Sequence, residues 1–157
     1  MEIGLILAIL GAGLAVTLPC IGSAIALSEV GRSAAGLISE EPEKFGKALL
    51  LQVLPGTQGI YGFLAAVLVL QQAGLFGEEV VAVTPEVGWQ ILLACIPITL
   101  AGLLSAVFQG KVSVAGISTL AKKPEEAGKA IILSAMVETY AVIALLLTIL
   151  ILNGITV

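Results

Sequence analysis

Four stretches of this chain, residues 3–27, 48–70, 87–108 and 130–152, are apolar almost without interruption. Each has the roughly 20 residues that a helix needs to cross a hydrocarbon core about 30 Å thick. A segment in hydrocarbon finds no water for its N–H and C=O groups, so it closes its hydrogen bonds internally, as a helix. The expected fold is an all-α membrane protein of four transmembrane helices. Composition agrees, with 59% of residues hydrophobic and 11% charged, against roughly half and a quarter in soluble domains. Aromatic residues make up only 4% while Gly occurs 18 times, a balance that suits helices packed closely through small side chains.

Other classes fall away on the same reading. There is no His and no Gly-x-x-x-x-Gly-Lys-Ser/Thr run, so neither a phosphate-cradling loop nor a His-based triad can be built. The chain by itself is expected to be no enzyme, and no nucleic-acid partner is expected. Cys20 and Cys95 lie inside apolar runs without metal-ligand spacing and read as small buried hydrophobes. No basic residue precedes the first apolar run, which is too long for a signal-peptide core of about 7–15 residues. The first span is expected to stay in the mature protein.

All seven positive charges lie near two of the three connections: Arg32, Lys44 and Lys47 at the first, and Lys111, Lys122, Lys123 and Lys129 at the last. The middle connection carries Glu78, Glu79 and Glu86 with Gly74, Gly77 and Pro85, and no Lys or Arg. The positive-inside rule puts the first and last connections in the cytoplasm, with both termini and the acidic loop outside the cell membrane. The expected divisions are a first hairpin over 1–75, an external acidic loop over 76–86 and a second hairpin over 87–157.

The two hairpins are copies of one another. Glu41-Pro42-Glu43-Lys44-Phe45-Gly46-Lys47-Ala48 reads against Lys123-Pro124-Glu125-Glu126-Ala127-Gly128-Lys129-Ala130 at an offset of 82. Upstream, Gly22, Ala26, Ala35 and Gly36 match Gly102, Ala106, Ala115 and Gly116 two residues out of that register. Each copy holds two spans, so the copies are parallel repeats, unlike the inverted repeats of many transporters. Small residues crowd the first and third spans, which are expected to be inner helices, with the second and fourth outside them. A head-to-tail interface repeated about an axis closes into a ring, so side-by-side assembly into a homo-oligomeric ring is expected.

Aligning the repeats sets Gly56 opposite Glu138, which leaves one membrane carboxylate per chain. Glu138 lies nine residues past Lys129, about 13 Å along a helix. An ionised group at that depth costs at least about 2.5–3.5 kcal/mol, so it calls for a proton, a cation or a partner. At comparable depth the second span supplies Leu54-Pro55-Gly56-Thr57-Gln58-Gly59-Ile60-Tyr61. Pro55 cannot donate to the helical ladder, which is expected to release carbonyls around residues 51–54. Gln109 on the third span lies at a similar depth. One carboxylate among Gln, Thr and carbonyl oxygens makes a hard, singly charged set suited to a small monovalent cation. Glu29 and Lys111, each thirteen residues before a matched proline, are expected to pair.

Leu-Pro-Gly-Thr-Gln-Gly (54–59), Gln-Gly-Lys (109–111), Ala-Lys-Lys-Pro-Glu (121–125) and Met-Val-Glu-Thr-Tyr (136–140) together resemble the K-subunit, or proteolipid, family of V-type rotary ATPases, the sodium-translocating bacterial kind in particular. The resemblance implies sodium ligands at the Leu54 carbonyl, Thr57, Gln58, Gln109 and Glu138, with Tyr61 donating to the carboxylate and Pro55 and Gly56 shaping the bend. It also implies a membrane rotor carrying Na+ at Glu138, partnered by a stator membrane subunit that bears a basic residue, central-stalk subunits and lipid, with no organic cofactor. The alternatives are the same rotor coupled to H+ and, from another class, a four-helix channel or adhesion protein.

Overall fold

Proline places the ends of the long helices. In the computed structural model, which describes residues 3–76 and 82–156, α1 (Ile3–Glu40) and α4 (Pro85–Lys122) are each 38 residues long. Both stop at a residue that precedes a proline, where the pyrrolidine ring disfavours the helical conformation, although Pro19 and Pro97 are carried inside the same two helices. Glu41 before Pro42 sits at φ −133°, ψ 73° and Lys123 before Pro124 at φ −142°, ψ 81°. Each proline then opens a 3-10 turn, Pro42–Lys44 or Pro124–Glu126, that leads into the return helix. The first return is broken into α2 (Phe45–Val53), a 3-10 turn (Leu54–Gly56) and α3 (Thr57–Gln72), whereas the second, α5 (Ala127–Asn153), is continuous. The chain is all helical over the described residues, with four helical stretches long and apolar enough to cross a membrane.

At 1.5 Å per residue α1 and α4 run about 57 Å, well beyond a hydrocarbon core of about 30 Å. Both extend past the spans read from hydropathy. The acidic connection between α3 and α4 includes Gly77, Glu78 and Glu79, which lie outside the described residues. Before it, Gly74 at φ 73° stops α3 in the left-handed conformation, and the Leu75 N–H closes onto the Leu70 carbonyl at 3.0 Å.

The inner pair α1 and α4 is packed through small residues. A Cβ on Gly22 would lie 2.6 Å from the Leu103 carbonyl oxygen, and one on Gly62 of α3 would lie 2.2 Å from the Ala15 carbonyl oxygen. Only hydrogen fits at either place, and the dispersion contact between backbones replaces the hydrophobic drive that lipid cannot supply. α3 sits in the furrow between α1 and α4, and α5 packs on α4 at one edge of the molecule.

The 82-residue register holds along the whole hairpin, which corrects the two-residue drop expected upstream. The helices α1 and α4 begin and end 82 residues apart, and Glu41 N–H to Leu37 O recurs as Lys123 N–H to Thr119 O. Side-chain neighbours agree: Gly56 faces Leu27 as Glu138 faces Gln109, and Gly31 faces Gln52 as Ser113 faces Ser134. The small residues that suggested a shift serve a different need. Two residues turn a helix by about 200°, to its opposite side. Gly22 and Ala26 line the side of α1 that meets α4, and Gly102, Ala106 and Gly110 the side of α4 that meets α1. In two side-by-side copies of one unit those sides are opposite.

Candidate ion-binding site

Two apolar clusters fill the chain, one around Ala8, Ala15, Ala65, Val69, Ile91 and Ile98, the other around Val30, Leu37, Leu51, Ile117 and Leu120. Between them, at the level of the bend in the second span, lies a layer of polar side chains. Pro55 has no N–H to give to the preceding turn, and the backbone tightens into the 3-10 turn over Leu54–Gly56. The Leu54 carbonyl accepts both the Thr57 N–H and, at 2.9 Å, the Thr57 hydroxyl. It is thus engaged within its own turn.

Gln58 and Gln109 are fully buried, at 0% exposure each. The Gln58 amide donates to Gln109 Oε1 at 2.5 Å and to Ser105 Oγ at 3.2 Å, while its oxygen accepts from the Thr57 hydroxyl at 3.4 Å. Gln109 Nε2 donates to Glu138 Oε2 at 3.4 Å, and the Tyr61 hydroxyl donates to Glu138 Oε1. The structure therefore joins Leu54, Thr57, Gln58, Gln109, Glu138 and Tyr61 in one connected network, with Pro55 and Gly56 forming the bend that presents it. Turning either amide by 180° exchanges its donor and acceptor with little displacement, so the layer can turn oxygens toward a cation.

Glu138 is half-buried. It borders a shallow groove on the outer surface with Ala135, Thr139, Val142 and Ile143. The carboxylate therefore meets the polar layer on one side and the exposed flank of α5 on the other.

Two serines escaped the sequence reading. Ser105 accepts from Gln58 and donates to the Val137 carbonyl at 3.0 Å, tying α3, α4 and α5 at one point. Ser23 accepts the Gly59 N–H at 3.1 Å, a donor that has no partner within its own helix so soon after Pro55. Ser105 stands four residues before Gln109 and so on the same helix face, a spacing from which it could have been found. Ser23 had no such signal.

The expected Glu29–Lys111 pair is not formed within the chain. Among the described residues the ion pairs are Lys44–Glu41 and Lys129–Glu126, each at 2.6 Å, and the Lys111 ammonium lies 5.2 Å from the centroid of the Phe108 ring. Equal distance from the matched prolines gave the two residues equal depth, but depth does not fix the face, and Lys111 reaches its own helix first. Cys95 is buried as expected, whereas Cys20 is exposed, because it lines the outer furrow of α1 and α3.

The sequence pattern of the ATP synthase C-subunit family matches residues 10–69 and again residues 92–151, one match for each hairpin. The V-type sodium ATPase subunit K of Enterococcus hirae is 45% identical over 152 residues, covering 96% of this chain and 94% of that protein. The A-type ATP synthase subunit K of Methanocaldococcus jannaschii is 42% identical over 151 residues, which cover 96% of this chain and 64% of the longer relative. Two tandem matches on a duplicated, four-span helical membrane protein, together with relatives aligned along nearly its whole length, make this chain a member of the ATP synthase C-subunit family.

Proposed function

We propose that the chain is the ion-carrying rotor subunit of a V-type rotary ATPase, with copies in a ring and one Na+ bound by each at Glu138. The observation that carries this reading is the single carboxylate joined to Gln109, Gln58, Thr57 and Tyr61 between two apolar clusters. A proton carrier needs only a carboxyl and one acceptor, whereas this layer offers a set of hard oxygens. The Enterococcus hirae relative belongs to a sodium ATPase, which supports the same ion.

In this mechanism the Leu54 carbonyl, Thr57 hydroxyl, Gln58 and Gln109 amide oxygens and Glu138 carboxylate surround the cation, and Tyr61 holds the carboxylate in place. One positive ion on one carboxylate leaves the subunit neutral, which removes the cost of taking a charge past lipid. A basic residue of a stator membrane subunit displaces the ion as each subunit passes, and two access paths load and unload it. Central-stalk subunits couple the ring to the soluble ATPase head, where the hydrolytic chemistry resides. The positive charges favour an orientation with the connections at Pro42 and Pro124 in the cytoplasm and the termini outside.

The test is labelling of Glu138 by a carbodiimide, which attacks the protonated, unoccupied carboxyl. At fixed pH, labelling is expected to slow as sodium rises from micromolar to millimolar, while potassium at matched ionic strength does little. Labelling that ignores sodium but falls with rising pH would make the rotor proton-coupled.

A further inference from the structure

An amide side chain has nearly the same shape either way round, so the groups behind Gln58 decide which of its ends faces the ion layer. One of those groups is Ser105 on α4, itself only 6% exposed. A serine hydroxyl has one hydrogen to give and two lone pairs. Inside a helix that hydrogen commonly goes to the carbonyl four residues back, as Thr99 gives its own to Cys95 O at 2.8 Å. Ser105 instead reaches across to α5 and donates to the Val137 carbonyl at 3.0 Å. With its hydrogen committed there it can only accept from Gln58, and it does so from Nε2 at 3.2 Å. The second N–H of Gln58 goes to Gln109 Oε1 at 2.5 Å. Both hydrogens of the amide are thus spent on α4, and Oε1 is left beside the Thr57 hydroxyl at 3.4 Å.

The Val137 carbonyl has no need of the serine. α5 is unbroken from Ala127 to Asn153, so Val137 O has its helical donor, the Ala141 N–H, and takes Ser105 on its second lone pair. The other copy of the repeat shows a serine where the helix does need one. Ser23, 82 residues before Ser105, accepts the Gly59 N–H beside the bend at 3.1 Å. The matching N–H of the second hairpin, that of Ala141, is held within α5. Ser105 is therefore free to turn its lone pairs to α3, where Gln58 lies.

We propose that Ser105 is a positioning residue of the ion site: it holds the Gln58 amide with its oxygen toward the cation, and so sets the sodium affinity of a carboxylate it does not touch. Were Gln58 turned over, Oε1 would face the Ser105 lone pairs and the Gln109 oxygen. Those are two acceptor-to-acceptor contacts around amides that are 0% exposed, where no water can relieve them. The same turn would put an N–H₂ group, with its partial positive charge, in the place of a ligand oxygen. Removing the Ser105 hydroxyl removes one of the two penalties against that turn. A proton on Glu138 needs no oxygen from Gln58, so proton binding is not set this way.

This role rests on the sodium reading of Glu138, and its test separates the two. Carbodiimide labelling of Glu138 is followed in the assembled oligomer over a sodium titration at fixed pH, and over a pH titration without sodium. In Ser105→Ala the sodium concentration for half-protection is expected to rise roughly three- to tenfold, the size of one buried hydrogen bond. The pH profile is expected to stay in place, because the carboxyl is hydrogen-bonded by Tyr61 and Gln109 and, among the described residues, by neither Ser105 nor Gln58. Ser105→Cys fills the space with a weak acceptor and is expected to shift sodium protection in the same direction, whatever the packing of the alanine variant. In a Gln58→Leu background, Ser105→Ala should cost less than about twofold further, since no amide is left to orient. An unchanged sodium titration in both serine variants, a pH profile that moves as far as the sodium titration, or a full further loss on top of Gln58→Leu would overturn the positioning role and leave the sodium site standing. Native protein whose labelling ignores sodium would instead remove the sodium reading, and this role with it.

Discussion

Tyr61→Phe isolates one bond of the polar layer. The substitution keeps the ring and its packing and removes only the hydroxyl that donates to Glu138 Oε1. The remaining donor to the carboxylate is Gln109 Nε2 at 3.4 Å, long enough that it replaces little of what is lost. A hydrogen bond to a charged acceptor contributes about 1.5–3 kcal/mol. In the sodium-bound form the carboxylate is ionised, so the loss falls mainly on that form. With tenfold in an equilibrium constant for every 1.4 kcal/mol, the sodium concentration giving half-protection of Glu138 from carbodiimide should rise roughly 10- to 100-fold. The assay is the rate of Glu138 modification in detergent-solubilised rings at fixed pH over a sodium titration, with ring integrity followed on native gels. Half-protection within about threefold of the unmodified protein, in intact rings, would refute the reasoning: the hydroxyl would then serve protonated and ionised carboxyl alike.

Three further outcomes follow from the same geometry. Glu138→Gln keeps shape and hydrogen bonding while deleting the charge, so rings should assemble but reconstituted complex should transport no ions; transport near the native rate would contradict the role of Glu138. Gln58→Leu removes an amide that is wholly buried and leaves the Gln109 oxygen without its donor, a loss of about 1–3 kcal/mol that should appear both as a lower thermal midpoint and as weaker sodium protection. Gly62→Ala places a methyl 2.2 Å from the Ala15 carbonyl oxygen, so α1 and α3 must separate; a fall in folded yield or melting temperature is expected, and an unchanged midpoint would mean that the helices yield freely there.

Length and hydropathy determined four helices, because hydrocarbon leaves a spanning backbone no other way to satisfy its hydrogen bonds. Hydropathy did not give the ends of α1 and α4, which run on past residues 27 and 108 to stop before Pro42 and Pro124, because a helix outlasts its apolar run. Glu138 stood out because a carboxylate at such depth is costly wherever the neighbours lie. Facing was different, since it depends on helix rotation and on which helix lies alongside. Only the tertiary structure decided that Gln58 reaches Gln109 and Ser105, that Ser23 takes the N–H left over near Pro55, and that Lys111 lies over Phe108 and not against Glu29. It also decided that the repeat keeps one register throughout. Gly22 and Gly102, two residues out of step, read as an insertion in one dimension, but in three they lie on the two sides of the α1/α4 contact, because two residues on a helix are about a half-turn.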